Sequence, residues 1–404
     1  MLEMRVRTGT TISLLVIAVL LVPLGFKARS YLRAVSLVVR SAGLERQHPV
    51  LAALQSQPYR EQKITIRSRY GALRARLYAP ERSSSRAVVL TPGVNALSID
   101  EPRLKSFARQ LAATGLTVVT PALPDLERYQ VTPREPDEIE DAARWLLERR
   151  DLTGGRPIGL MGISFAGGLS IVAASRPSIR DHLAFVFSFG GHGDFPRVLR
   201  FLCTGMEPVP ESERARLKEA GKPAPREVCR KPHDYGVAIM LLSLADRLVP
   251  ADQVEPLRRA ILTFLHASHL ALIDERQAEE VFEKARGLVG ALPEPAATLM
   301  REVNDREVAT LGPMLLPFIA DMGGNPALSP EKSPPPMAPV YLLHGADDNV
   351  IPAAETLLLA EHLEGKTRVH ALLSGLITHA EVDRSAAWSE QWRLAQFWEA
   401  LLSE

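Results

Sequence analysis

From Lys63 onward the sequence alternates short uncharged runs of Val, Ile, Leu and Phe with longer segments whose apolar residues recur at three- and four-residue spacing. The short runs read as strands and the longer ones as amphipathic helices, and this alternation defines an α/β protein. Strands are expected at 64–67, 73–78, 87–91, 117–120, 158–161, 183–189, 340–344 and 368–373, and helices at 103–114, 137–150, 167–175 and 353–363. The first two strands are joined through Tyr70 and Gly71 and read as a hairpin. Several later strands are unbroken apolar runs, the pattern of a mostly parallel sheet with helices on both faces.

One stretch, from about 192 to 339, breaks the alternation. It has no convincing strand, only helical periodicity at 211–219, 235–245, 251–270, 274–287 and 296–308, and a stiff return at 329–339 that holds five prolines. A chain of 404 residues exceeds a single domain of about 250 residues by roughly 150. Most of that surplus lies in this stretch, and no internal repeat accounts for it. With 46% hydrophobic and 24% charged residues, the composition excludes a disordered, collagen-like or polytopic membrane protein. The balance of 48 Lys and Arg against 47 Asp and Glu provides no basic stripe, which argues against nucleic acid as a partner.

The amino terminus differs from everything after it. Arg5 and Arg7 precede 19 uncharged residues, Thr8 to Phe26. At 1.5 Å per residue a helix of that length reaches about 28 Å, near the hydrocarbon thickness of a bilayer. A signal-peptide core is the competing reading. It needs small residues spaced before a cleavage site, and the residues around Phe26, Lys27 and Ala28 supply them poorly, so an uncleaved single-pass anchor is favoured. Lys27, Arg29 and Arg33 follow the stretch and favour a cytoplasmic main domain, whereas the two cysteines favour export, so the side of the membrane stays open. Between Tyr31 and Leu44, Arg33 and Arg40 stand on one helical face. That segment reads either as an amphipathic helix at the membrane surface or as a packed helix of the domain. The expected organisation is thus an anchor at 1–30, an amphipathic linker at 31–60, a core in two parts at 61–191 and 339–404, and a helical insertion at 192–338.

Chemistry begins at Ile158 to Gly168, IleGlyLeuMetGlyIleSerPheAlaGlyGly, where a strand ends at Gly162, Ser164 follows on a tight turn and a helix starts. This resembles the nucleophile elbow of the α/β-hydrolase superfamily, Gly-x-Ser-x-Gly. Ala166 departs from the final glycine. The need there is for a small side chain, because strand and helix approach closely around a strained serine, and Ala166 backed by Gly167 and Gly168 can meet it.

The resemblance implies the remaining parts of the site. A serine hydroxyl needs a positioned base, and His379, in SerGlyLeuIleThrHisAla beyond the last expected strand, stands where the superfamily places it. The base needs an acid to orient it. LeuLeuHisGlyAlaAspAspAsnValIlePro, Leu342 to Pro352, is similar to the superfamily's His-Gly-x-x-Asp-x-x-Val-Pro segment and puts the acid at Asp348. Asp194 is the lesser alternative for that acid. Two oxyanion donors are implied: the N–H of Phe165, and that of Val94 in ValLeuThrProGlyValAsn, with Asn95 in reserve. Thr91 stands where superfamily members carry histidine.

An insertion after the sixth strand corresponds to the helical cap of such enzymes. It contains Cys203 and Cys229, which in an exported chain could close a loop of about 27 residues and in a cytoplasmic one would be buried thiols. His266 and His269, three apart on a helix, have no third partner spaced for a metal, and helix packing accounts for them. The implied protein has the α/β-hydrolase fold with a helical cap insertion. It is a membrane-tethered serine esterase, carboxylesterase- or lipase-like, acting on a small-molecule or lipid-like acyl ester through Ser164, His379 and Asp348, without metal or organic cofactor. An acyltransferase using the same triad, or a catalytically silent binding or scaffold protein of the same fold, are the alternatives. The oligomeric state is not legible.

Overall fold

The structure is a computed structural model describing residues 29–404 apart from 42, 44, 55, 83–85, 376, 379, 380 and 383–387. Eight strands form one sheet: β1 (Tyr59–Ser68), β2 (Gly71–Pro80), β3 (Ala87–Thr91), β4 (Thr117–Pro121), β5 (Ile158–Ile163), β6 (Leu183–Phe189), β7 (Val340–Gly345) and β8 (Val369–Ser374). Their spatial order is β1-β2-β4-β3-β5-β6-β7-β8. β2 runs antiparallel to both β1 and β4, and all other neighbours are parallel. Every expected strand is present. β1 and β2 are each ten residues long, well beyond their apolar centres, because Leu73, Ala75 and Leu77 point inward while Arg74 and Arg76 alternate outward.

Helices of eight or more residues among the described residues are α1 (29–41), α2 (Pro102–Ala113), α3 (Arg134–Glu148), α4 (Phe165–Ala174), α5 (Phe195–Thr204), α6 (Glu211–Glu219), α7 (Tyr235–Leu248), α8 (Ala251–Leu270), α9 (Glu275–Leu288), α10 (Ala296–Asn304), α11 (Val308–Leu315), α12 (Ala354–Leu363) and α13 (Trp388–Ser403). They cover both faces of the sheet. Leu37, Leu104, Leu111 and Trp398, from α1, α2 and α13, pack with Val88, Leu90 and Phe187 on one face. Ile139, Leu146, Leu169 and Leu359, from α3, α4 and α12, pack with Val89, Leu160 and Val186 on the other. With both faces covered, all five residues of β3 and of β4 are buried, which is why these strands read as unbroken apolar runs.

α1 settles one open reading. Ala34, Leu37 and Val38 are buried in the sheet core, the Ser36 hydroxyl donates to the carbonyl of Ala52 (2.7 Å), and Arg40 reaches the carbonyl of Gln110 (3.3 Å). The first part of the segment expected as a linker (31–60), through Ser41, is therefore a packed helix of the domain. It runs from Ser30 and Arg33, beside the starts of β3, β5 and β6, to Ser41, at the opposite end of the sheet. No helix among the described residues is long and apolar enough to cross a membrane, and the expected anchor stretch lies outside them.

The insertion is helical as expected, with two differences. A short antiparallel ribbon pairs Met206–Pro208 with Glu227–Cys229, where no strand was expected. Three residues a side, one of them proline, are too few to show a period of two. The helix expected at 296–308 is two helices, broken where Arg306 adopts φ +59° after Asn304 and Asp305, residue types that favour turns. The two thiols are unbonded: Cys203 is buried beside the sulfur of Met240 (3.6 Å), its thiol pushed up to about 12 by burial, while Cys229 is exposed on the ribbon.

A buried charge cluster fastens the insertion to the core. Arg197 on α5 donates through Nε to Glu355 of α12 (2.5 Å) and through Nη2 to Glu331 of the return segment (2.6 Å). Glu355 is fully buried and also accepts the amides of Gly193 (2.9 Å) and Asp194 (3.1 Å). Nearby, His192 lies 2.7 Å from the carbonyl of Leu328, joining the first and last turns of the insertion. Arg197→Ala leaves the Glu355 carboxylate buried without its partner and is expected to cost about 3 kcal/mol, read as a fall in the urea unfolding midpoint. Lys at this position should recover only part of the loss, because it lacks the forked geometry that engages both carboxylates.

Candidate active site

β3 connects to β4 on one side, and the chain then crosses to β5 on the other. At such a reversal the loops leaving the two strands part and open a crevice at their carboxyl ends. Thr91 at the end of β3 is in register with Gly162 on β5, so the Pro92–Asn95 loop and Ser164 face the same space.

Ser164 joins β5 to α4 with φ +56° and ψ −134°, a conformation that costs energy for any residue with a side chain. Its surroundings enforce it. The Ser164 amide donates to the Phe189 carbonyl (2.7 Å), and its carbonyl accepts from the Gly167 amide (2.8 Å). A Cβ on Gly162 would lie 2.1 Å from the Ala166 carbonyl oxygen, and one on Gly168 would lie 2.6 Å from the His192 ring. Ala166 is fully buried and fits without displacing either element. Thr91 is also buried: its hydroxyl bonds to the Met161 carbonyl (3.0 Å) and lies 3.1 Å from Ser170 Oγ, tying β3 to β5 and α4.

The second loop approaches closely. A Cβ on Gly93 would stand 3.2 Å from Ser164 Cβ. Asn95 Nδ2 donates to the Gly93 carbonyl (3.2 Å), and Asn95 Oδ1 accepts the Ser98 amide (2.7 Å). A trans peptide sets its C=O and N–H on opposite sides, so the bond to Gly93 fixes the direction of the Val94 N–H. Asn95 thus braces this loop. Val94, Ser164 and Phe165 line one cavity of about 350 Å³, and Phe165 opens α4, whose first amides have no partner within the helix.

Asp348 is buried on the loop after β7. Its Oδ1 accepts the amides of Val350 (2.8 Å) and Ile351 (3.1 Å), and its Oδ2 lies 3.4 Å from His344 Nε2. A Cβ on Gly190, the residue after the Phe189 that binds Ser164, would be 3.6 Å from Oδ2. Asp348 therefore stands close behind the elbow. His379 lies outside the described residues, and the backbone pairing of Ile377–Thr378 with Glu381–Val382 flanks it. Asp194, the alternative acid, is occupied elsewhere: it caps α5 by accepting the Arg197 amide (2.9 Å) and pairs with Lys332 (3.0 Å).

Two cavity residues of the insertion, His233 and Tyr235, escaped the sequence reading, and a third, His269, reads there only as helix packing. His233 and Tyr235 stand at the start of α7, and His269 is on α8. His233 Nδ1 accepts the Tyr235 amide (3.1 Å) and lies 2.9 Å from Asp234, while the Tyr235 hydroxyl donates to the Val94 carbonyl (3.0 Å). Burial pushes the His269 ring below the usual histidine range. No motif marks these positions. Of the pair His266 and His269, His269 faces this cavity, and among the described residues no three His, Cys, Asp or Glu side chains gather as a metal site.

A second cavity of about 280 Å³ lies beside the first and shares Val94, Phe165, Tyr235 and Val350 with it. Its far wall includes Thr132, which donates its amide to Glu135 (2.7 Å) and its hydroxyl to Asp125 (2.9 Å).

No family model matches the sequence, and no curated protein matches it. Among solved structures the chain is similar to an esterase from Pyrobaculum calidifontis, at 15% identity over 89% of this chain and 90% of that one, TM-score 0.42. It is also similar to a thermophilic carboxylesterase cloned from a metagenomic library, at 14% identity over 89% and 94%, TM-score 0.44. Against an acylaminoacyl peptidase of Pyrococcus horikoshii the identity is 12% over 88% of this chain but 42% of that one, TM-score 0.41. The strand order, the antiparallel β2 and the strand–serine–helix turn after β5 are those of the α/β-hydrolase fold, and the chain has that fold.

Two outcomes follow. Gly162→Ala drives a methyl into the Ala166 carbonyl and should cost about 3 kcal/mol or shift the elbow, visible in the unfolding midpoint. Burial pushes the Glu135 carboxyl from 4.5 up to about 8. The folded state then binds more protons than the unfolded one between those values, so this group's contribution to stability falls as pH rises through that window. Glu135→Gln should flatten the pH dependence of the thermal midpoint there.

Proposed function

We propose that this protein is a serine hydrolase that cleaves carboxylic esters through an acyl-enzyme on Ser164. The observation that carries the reading is Ser164 itself, held at φ +56° between β5 and α4 on a cavity also lined by Val94 and Phe165. A conformation that costs energy is kept where it presents a hydroxyl to a cavity bordered by backbone amides, which suits nucleophilic attack and oxyanion binding.

In this reading His379 takes the proton of Ser164 Oγ as the oxygen attacks the acyl carbon, and Asp348, fixed by two amides on Oδ1, orients the imidazole. The N–H groups of Phe165 and Val94 bind the oxyanion, each contributing about 10²- to 10³-fold in rate. Collapse passes the proton from His379 to the leaving alcohol. Water, activated by the same histidine, then releases the acid and restores Ser164. The sequence supports a tether through residues 8–26.

A fluorophosphonate should label the native protein and not Ser164→Ala. An inert, well-folded native protein would leave a binding or scaffold role, and faster product formation with added alcohols at the expense of free acid would assign acyl transfer. His379→Ala should abolish ester turnover and Asp348→Asn should lower kcat by several orders of magnitude. Retained activity in His379→Ala with loss in His233→Ala would move the base to His233. For the tether, the full chain should sediment with membranes and resist alkaline extraction, and Leu15→Arg with Ile17→Arg should release it. A native chain already in the soluble fraction refutes the tether.

A further inference from the structure

Among the described residues, Tyr235 is the one side chain of the insertion that both bonds to the loop beside Ser164 and borders the two cavities. Its hydroxyl donates to the Val94 carbonyl (3.0 Å), one peptide beyond the Gly93 carbonyl held by Asn95 (3.2 Å). The peptides on either side of Val94 are therefore each pinned by a side-chain donor, one from the core and one from the insertion. Tyr235 is itself fixed: its ring meets Tyr129 edge to face at 6.1 Å, and its amide is bonded to His233, whose own amide reaches the Asn349 carbonyl (2.8 Å) on the Asp348 loop.

Both cavities are walled largely by apolar side chains. The one lined by Ser164 combines Phe107, Leu272, Leu394 and Trp398 with His233 and His269. The second is formed largely by side chains of the insertion, among them Leu199, Leu202, Ile239 and Met240. Phe165 and Val94 border both, so a carbonyl bound at their amides sits at the partition, beside Tyr235.

We propose that Tyr235 is a positioning and specificity-determining residue: its hydroxyl aligns the Val94 loop for the oxyanion, and its ring closes the second cavity to the acyl chain, confining that chain to the cavity that Ser164 lines. This rests on the ester-hydrolase reading above and deepens it. The hydroxyl and the ring act separately, so two substitutions separate them. Tyr235→Phe keeps the partition and loses the bond; Tyr235→Ala also joins the cavities.

The test uses p-nitrophenyl esters graded from acetyl to dodecanoyl with the full-length native protein and both variants. Tyr235→Phe should lower kcat about fivefold on every ester, the scale of one hydrogen bond, with KM little changed and the chain-length profile unaltered. Tyr235→Ala should move the preferred acyl chain to greater length. If the alanine variant has a lowered thermal midpoint, Tyr235→Leu, which keeps apolar packing while shortening the side chain, decides the same question. Native kcat in Tyr235→Phe overturns the positioning role, and a native chain-length profile in the alanine and leucine variants overturns the partition. Native protein that neither takes up fluorophosphonate nor hydrolyses any ester overturns the hydrolase reading and this inference with it, whereas native turnover with unaltered variants overturns this inference alone.

Discussion

The crossing of β5 and α4 constrains everything around it. The strand must become a helix within one residue while the two elements are so close that a methyl on Gly162 would overlap a carbonyl of α4. That proximity leaves Ser164 its left-handed φ and aims the first amides of α4 into the crevice. It also requires β3 and β6 alongside: Thr91 secures one flank through Met161 and Ser170, and the Phe189 carbonyl secures the other through the Ser164 amide. Strain of this kind persists only where neighbours over-determine it, and here neighbours come from three strands and a helix.

A second layer of constraint is electrostatic. Arg197, Glu355 and Glu331 bring together the first helix of the insertion, the helix after the Asp348 loop and the proline-rich return. A buried ion cluster is poor at adding net stability but costly to break, and this one ties the insertion to the core through both α5 and the return segment. Tyr235 and His233 then fall at fixed distances from the Val94 and Asn349 backbones. Chain far apart in sequence thereby meets at the cavity wall.

The distinction between local and distant causes explains how much was legible beforehand. Strands buried on both faces announce themselves as apolar runs, and all eight could be read, β3 and β6 to their terminal residues. Ser164 and Asp348 could be singled out because each sits in a segment whose neighbours share its constraint: glycines around the first, the His344–Pro352 turn around the second. Ala166 and Thr91, which looked like departures, turn out to be close-packed parts of the elbow. What escaped was set by long-range packing. Nothing near Tyr235 in sequence encodes a bond to Val94, and nothing near Asp194 shows that its carboxylate caps α5, although Pro196 two residues on was a usable sign of a helix start. The short ribbon at 206–208 and 227–229 is likewise a product of its surroundings rather than of any pattern within it.

The path of α1 has a consequence for orientation. It enters the domain beside Arg86 and Arg156, where the parallel strands begin, and ends at Ser41, level with the crevice. Whatever precedes residue 29 therefore joins the globule at the pole opposite Ser164, separated from it by the full height of the sheet. In the tethered arrangement proposed above, the mouth would point away from the membrane. An ester for the proposed reaction would then arrive through the aqueous phase instead of diffusing sideways out of the same leaflet, which favours a soluble or carrier-delivered substrate over one resident in the bilayer.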